Sequence, residues 1–295
     1  MAKYINPFTD FGFKFIFGRE DSKPFLMDFL NELLRDEPEF EPITDIEYLN
    51  KEKGRSRRDE RGIIYDILCR SSSGKHFIVE MQNSAQAYFI DRSIYYASRA
   101  IVDQGVPGKS WEYEYMPVYF VAFMNFKIDE LGNRVRTDAA ICDLNSKKPL
   151  SDKMRFVFIE LPNFTKIKDE CETVFDKWIY ILKNMEIMDR MPFIQERKLF
   201  NRLATVTSYA SLTEAERREY DADLKAYRDL TNQISYAEKK GVEEGFEKGM
   251  EKGMEKGMEK GMMQIVLSMY KNGTDIETIS RLTDLPLEKV RQILE

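Results

Sequence analysis

Three oxygen-bearing side chains are placed to do chemistry: Asp66, Glu80 and Gln82. They lie in two alternating runs, 63–69 and 76–82, joined by Ser71-Ser72-Ser73-Gly74-Lys75. Small residues and a glycine between two such runs signal a β-hairpin. With the turn centred on Ser73, Asp66 opposes Glu80, Leu68 opposes Ile78 and Ile64 opposes Gln82. Directly opposed side chains have Cβ atoms ~5 Å apart, and alternate residues share a face, so the three groups point the same way. The other face reads Tyr65, Ile67, Cys69, Phe77, Val79 and Met81, apolar throughout. Two carboxylates so close in a sheet with one buried side push one pKa up unless a cation lies between them. An all-oxygen set suits Mg²⁺, with Mn²⁺ as the alternative, and the Met81 carbonyl offers a further oxygen. The competing arrangement has one acid in solvent and the other paired with an arginine. The large apolar residues around Asp66 and Glu80 weigh against it.

Other chemistries are pruned by what the chain lacks. It has one histidine, His76, so a multi-histidine zinc site within one chain is excluded. No G-x-S-x-G segment supplies a nucleophile for that histidine to serve. Cys69, Cys142 and Cys171 are odd in number and far apart, and they read as buried, reduced thiols. The net charge of −6 means that nucleic acid would be met only through a local basic patch. No apolar run has the length of a membrane span and none follows a basic start, so a cytoplasmic protein without a membrane partner is expected.

The elements that must carry the hairpin can be read in outline. Thr9 or Asp10 is placed to cap a first helix, although the alternating phenylalanines of 11–17 also fit a strand, and periodicity alone leaves both open. A helix over 23–34 has Phe25, Leu26, Phe29, Leu30, Leu33 and Leu34 on one side. Strand-like runs follow at 63–69, 76–82, 118–124, 134–143 and 155–161, with a helix over 85–102 between them. That mixture gives one α/β or α+β core ending near Pro162, and two or three helices fill 168–236.

Beyond them lies a tetrapeptide repeat, with glycine at 241, 245, 249, 253, 257 and 261. A four-residue period lags a 3.6-residue helix by ~40° per repeat, so the repeats wind round a helix. Six glycines cost a helix ~6 kcal/mol against alanine, and Glu251 repels Glu255 across one turn. The segment reads as a marginal helix or flexible tether, or else as two helices packed closely through the glycines. Residues 264–295 follow as three short helices: one stopping near Asn272-Gly273, one capped by Thr274 with Ile276, Ile279 and Leu282 inward, and one starting at Leu285-Pro286. They resemble a helix-turn-helix unit, with DNA binding and docking or oligomerisation both open.

Taken together, Asp66 followed by Glu80-Met81-Gln82 resembles the PD-(D/E)XK nuclease superfamily, and in particular its branch of putative transposases, the recombination-promoting nucleases. Thr9-Asp10-Phe11-Gly12-Phe13-Lys14-Phe15-Ile16-Phe17-Gly18, the tyrosine-rich helix after the hairpin, Phe158-Ile159-Glu160-Leu161-Pro162 and the charged repeat are similar to that branch too. The resemblance spans about residues 1–240. It implies an α/β, restriction-endonuclease-like core, a mixed central sheet flanked by helices, with a helical C-terminal extension. It implies Mg²⁺-dependent cleavage of DNA, with Asp66 and Glu80 as metal-binding acids, Asp10 as a candidate additional acid, and a helix over 11–17. Gln82 stands where the superfamily usually has lysine; glutamine is common in this branch, yet it offers only neutral hydrogen bonds. Lys14 is the candidate substitute for the missing charge, against a surface lysine lying over its phenylalanines.

Two places offer cations to DNA. Lys51, Lys53, Arg55, Arg57, Arg58 and Arg61 outnumber Glu52, Asp59 and Glu60 just before the hairpin, as a phosphate-contacting loop or a solvated one. Tyr88, Arg92, Tyr96 and Arg99 align on one helical face; by analogy with the family, Arg92 and Tyr96 line the rim of the site, and core packing accounts for the tyrosines equally. The expected organisation is a nuclease-like core at 1–165, a helical extension at 166–238, the repeat at 239–263 and the small helical unit at 264–295, with DNA as partner and a homo-oligomer formed through the C-terminal region as a candidate.

Overall fold

The computed structural model describes residues 2–37, 40–49, 52–53, 63–106 and 112–295. The basic segment before the hairpin lies outside the described residues, apart from the backbone of Glu52 and Lys53.

The N-terminal phenylalanines form a helix, α1 (Asp10–Phe17). Thr9 is its cap, and its hydroxyl accepts from the Gly12 N–H at 2.9 Å. Phe11, Phe13, Phe15, Ile16 and Phe17 are all buried. Apart from Asp10 and Lys14 the helix is apolar around most of its circumference and is packed into the protein, which is why its phenylalanines alternate like those of a strand. Gly12 is required there, since a Cβ would sit 2.0 Å from the Asn6 carbonyl oxygen. Helix α2 (Lys23–Leu34) buries the six residues expected of it.

The central sheet has six strands in the order β1-β4-β5-β6-β8-β7. They are β1 (Ile46–Tyr48), β4 (Ile67–Ser71), β5 (His76–Gln82), β6 (Val118–Met124), β7 (Arg136–Ala140) and β8 (Met154–Glu160). Strands β5, β6 and β8 run parallel, while β1–β4, β4–β5 and β7–β8 pair antiparallel. A second sheet pairs β2 (Glu52–Lys53) with β3 (Ile63–Ile64). This is the mixed sheet with flanking helices of an α/β fold. β5 and β6 read as near-continuous apolar runs because both faces are covered. On one face lie α1, α2, α4 (Val174–Asn184) and α5 (Lys198–Val206), with Trp178 and Phe200 among the buried rings. On the other lies α3 (Phe89–Val102), which brings Phe89, Ala97 and Ala100 against Ile78, Phe120 and Phe158. Residues 166–227 thus share the core of the residues before them.

Several expectations need correction. The run 63–69 is not one strand: it breaks at Tyr65 and Asp66, so Ile64 opposes Glu52 rather than Gln82. The break also moves Tyr65 from the face of Ile67 and Cys69 to that of Leu68 and Ile78. Helix α3 starts at Phe89 rather than Ala85, after Tyr88 adopts a left-handed φ of 62°. Strand β7 is shorter than 134–143, and Cys142 is exposed while Cys69 and Cys171 are buried.

The chain divides into two units, Met1–Tyr227 and Arg228–Glu295. Helix α6 (Glu214–Lys271) contributes to both. In the first, the Tyr220 hydroxyl accepts from the Asn6 N–H at 2.8 Å and Asp223 accepts from the Phe11 N–H at 2.7 Å. In the second, the repeat is helical throughout, and Val266, Ile279 and Val290 form a small core with helices α7 (Ile276–Thr283) and α8 (Leu287–Leu294). Asp275, not Thr274, caps α7, accepting from the Thr278 N–H at 2.9 Å, and Leu282 faces outward at 64% exposure.

Candidate functional site

The hairpin register is the one the turn predicts: Leu68 opposes Ile78, Cys69 opposes Phe77, and Gly74 makes the turn with a φ of 88°. The ladder ends at the Ile67–Val79 pair. Beyond it the chain bends at Asp66, and side chains replace the missing backbone partners. Asp66 Oδ2 accepts from the Met81 N–H at 2.9 Å, and the Asp66 N–H donates to Glu80 Oε1 at 3.3 Å. These reciprocal bonds lock the two carboxylates side by side.

Glu80 is only 3% exposed, on the sheet face that also carries Leu68, Ile78 and Ala122. Burial is the main cause that pushes its pKa up to about 8, and the Asp66 charge adds to it. Three contacts pull the other way: the Asp66 N–H, the Arg92 charge and the Gln82 amide. Gln82 Nε2 donates to Glu80 Oε2 at 3.2 Å, and Gln82 Oε1 accepts from Arg92 Nη2 at 2.7 Å. Glutamine suits this position because it has a donor for the acid and an acceptor for the guanidinium. The positive charge absent from Gln82 therefore stands one residue away, on α3.

Arg92 is held from several sides. Its guanidinium lies over the rings of Phe89 and Tyr96, 5.1 and 5.7 Å from their centroids, and Nη1 donates to Gln86. Tyr96 packs edge-on against Tyr65, whose hydroxyl donates to the Tyr96 carbonyl oxygen at 3.3 Å. Burial and then the Glu80 charge raise the Tyr96 pKa, which keeps its hydroxyl protonated. Arg99 pairs with Asp103 at 3.1 Å, a turn and more beyond.

The structure thus brings together Asp66, Glu80, Met81, Gln82, Arg92 and Tyr96. Asp10 and Lys14 lie on α1. They form an ion pair at 2.6 Å, with Asp10 61% exposed. Gln86 and Tyr65 belong to the cluster too. Their signal in the sequence was nil, since one lies in a loop and the other had the wrong face assigned. Glu160 is a different case: an acid ending an apolar run is visible in the sequence. It is fully buried in the same cross-strand row as Met124 and Gln82. Its Oε1 accepts from the Ile128 N–H at 2.7 Å, and Oε2 is buried without a hydrogen-bond partner.

Between the loops that follow β5 and β6 lies a cavity of about 630 Å³, whose lining includes Gln86, Tyr88, Phe89, Phe126, Lys127 and Asp129. Among the described residues there is no cluster of three or more His, Cys, Asp or Glu side chains able to hold a metal. A cation at this end of β5 would have two carboxylates and backbone oxygen. That donor set fits a hard divalent ion that keeps several waters, and the raised Glu80 pKa marks the charge such an ion would neutralise. Among the described residues no helix is long and apolar enough to cross a membrane.

Neither curated proteins nor solved structures give a match to this chain. A family model does: the PD-(D/E)XK nuclease family transposase matches residues 7–237, which takes in the hairpin, α3 and every buried element around them, and the chain belongs to that family.

Proposed function

We propose that the protein is a metal-dependent endodeoxyribonuclease that hydrolyses DNA phosphodiester bonds, in recombination or on mobile elements. The observation that carries this reading is the pairing of buried Glu80 with half-buried Asp66, locked by reciprocal hydrogen bonds where the chain enters β4. Asp66, Glu80 and the Met81 carbonyl would hold a Mg²⁺ or Mn²⁺ ion. Bound there, the ion supplies a Lewis acid for the phosphate and a water of lowered pKa.

The chain's own groups do the rest. Asp66 and Glu80 provide the negative charge that binds the cation, and Glu80 gives up its proton when it does so. Gln82 fixes the rotamer of Glu80 and passes the Arg92 charge toward it. Arg92, only half-buried, offers its remaining N–H groups to a phosphate oxygen. Tyr96 holds the guanidinium from below as a neutral phenol. In this reading Lys14 would supply to the site the charge that Gln82 lacks, and Asp10 an additional acid. The basic segment at 51–61, a cytoplasmic location, a homo-oligomer through the C-terminal region and the separation of the repeat and coda from the nuclease-like core complete the proposal.

A second reading keeps the fold and the DNA contact without turnover, as a binding or interaction module. Gln82 in place of lysine favours it. Incubating the purified protein with supercoiled plasmid, in Mg²⁺, Mn²⁺ or chelator, separates the two. Nicking that needs the metal supports the nuclease. Shifted but intact plasmid in every metal supports the binding module.

A further inference from the structure

The repeat presents four columns along α6, and every residue from 241 to 260 is exposed. One column is glycine. The next is apolar: Val242, Phe246, Met250, Met254 and Met258, each at least 61% exposed. The third is acidic, Glu243 through Glu259 at every fourth residue, and the fourth is lysine at 248, 252, 256 and 260. A Cβ built on any of the six glycines meets nothing within 4 Å, so the glycine column is an open groove beside an apolar ridge. Helix propensity does not call for this arrangement, because alanine would serve a solvated helix better at every glycine. Nor do ion pairs within the helix account for the charges. Among the described residues, Glu251, Glu255, Glu259, Lys252, Lys256 and Lys260 make none.

We propose that this face is the docking surface for a second copy of the same helix, in parallel orientation, with the apolar ridge of each copy seated in the glycine groove of the other. Around the helix the columns run lysine, glycine, apolar, acid. Two such faces brought together in parallel set lysine against acid and glycine against the apolar ridge, on both flanks at once. Turned antiparallel, the same faces set lysine against lysine, acid against acid and glycine against glycine. Shape and charge therefore select the same orientation, and the occupant is a copy of this chain because its own columns are complementary. The columns are rows of every fourth residue, and two helices that interlock such rows cross at about −50°. Each column winds ~40° per repeat, so close contact covers about three repeats before the faces diverge, and the Gly249–Lys260 stretch is the longest uninterrupted G-M-E-K run available.

The inference rests on the proposed self-association of the C-terminal region and deepens it. The test is the mass of the full chain by sedimentation, without DNA or metal, over roughly 1–100 µM. The wild-type chain is expected to dimerise, and raising the salt weakens the dimer about tenfold as the lysine–acid contacts are screened. Lys252→Glu with Lys256→Glu and Lys260→Glu gives a monomer, and so does Glu251→Lys with Glu255→Lys and Glu259→Lys. An equimolar mixture of the two recovers a heterodimer. Gly253→Leu with Gly257→Leu raises helicity yet weakens the dimer at least tenfold, which a purely helical role for the repeat does not produce. A monomer at every concentration overturns both self-association and this face. A dimer that ignores the charge changes or the leucines, or that tightens with salt, overturns this face alone.

Discussion

The end of β5 and the repeat of α6 both bring carboxylates close together, and they handle them in opposite ways. At the end of β5, Glu80 is buried beside half-buried Asp66, and their neighbours are fixed atom by atom: Met81 and Asp66 backbone N–H groups, the Gln82 amide, the Arg92 guanidinium beyond it. In the repeat, acids recur every fourth residue in full solvent, interleaved with lysines, and no hydrogen bond positions them. Water screens the second set, so its charges cost little and decide only what the helix meets. It cannot screen the first, so that charge becomes a raised pKa and an affinity for cations. The same residue type makes a reactive centre in one place and a recognition pattern in the other, and burial sets the difference.

The largest effect that sharpens this contrast is expected from Asp66→Ala. It removes a cation ligand and the acceptor of the Met81 N–H together, and plasmid nicking should fall by ~10³-fold or more. If nicking survives, Asp66 and Glu80 are not the reactive centre. Arg92→Ala comes next, with a loss of ~10–100-fold, partly restored by Arg92→Lys, because lysine keeps the charge and loses the fork; cleavage rates at saturating DNA measure it. Gln82→Lys restores the charge usual in the superfamily but turns an acceptor into a donor facing Arg92, so a loss of ~10-fold in the same assay is expected.

Stability against pH tests the burial argument without DNA. Glu80 titrates at about 8 in the folded chain and near 4.5 when unfolded. Between those values the folded state binds more protons, so stability falls as the pH rises through that window. Thermal melts without metal should therefore drop from pH 5 to pH 8, Glu80→Gln should flatten the slope, and saturating Mn²⁺ should raise the melting temperature again at pH 8. The smallest effect belongs to the repeat, where Met254→Gln on an exposed column should change stability by no more than ~0.5 kcal/mol. A larger loss of melting temperature in a dilute, monomeric sample would mean that the ridge is packed within its own chain.

The pairing of Asp66 with Glu80 was legible because a turn of small residues fixes the register on both sides of it. Strand alternation did not reveal the bend at Tyr65 and Asp66, since alternation assumes that the strand continues, and the bend is what leaves Met81 free to bind Asp66. For the same reason Ile64 was set opposite Gln82. Lys14 was a candidate source of charge on the premise that the first helix packs beside the hairpin; the guanidinium beside Gln82 comes from α3, whose face was legible at Arg92 and Tyr96 but whose docking on the sheet was not. Alternating phenylalanines left α1 ambiguous because a helix buried over most of its circumference has only Asp10 and Lys14 to announce its period. The repeat's columns were legible at once; the cost of six glycines hid that they form a helix.

Direct binding of Mn²⁺ tests the central claim most closely. Calorimetric titration of the wild-type chain, Asp66→Ala and Glu80→Gln at pH 8 should show ion binding in the first, with protons released, and affinity at least ~10-fold weaker in both variants. Equal affinity in all three would place the metal elsewhere and leave Asp66 and Glu80 without the role given to them.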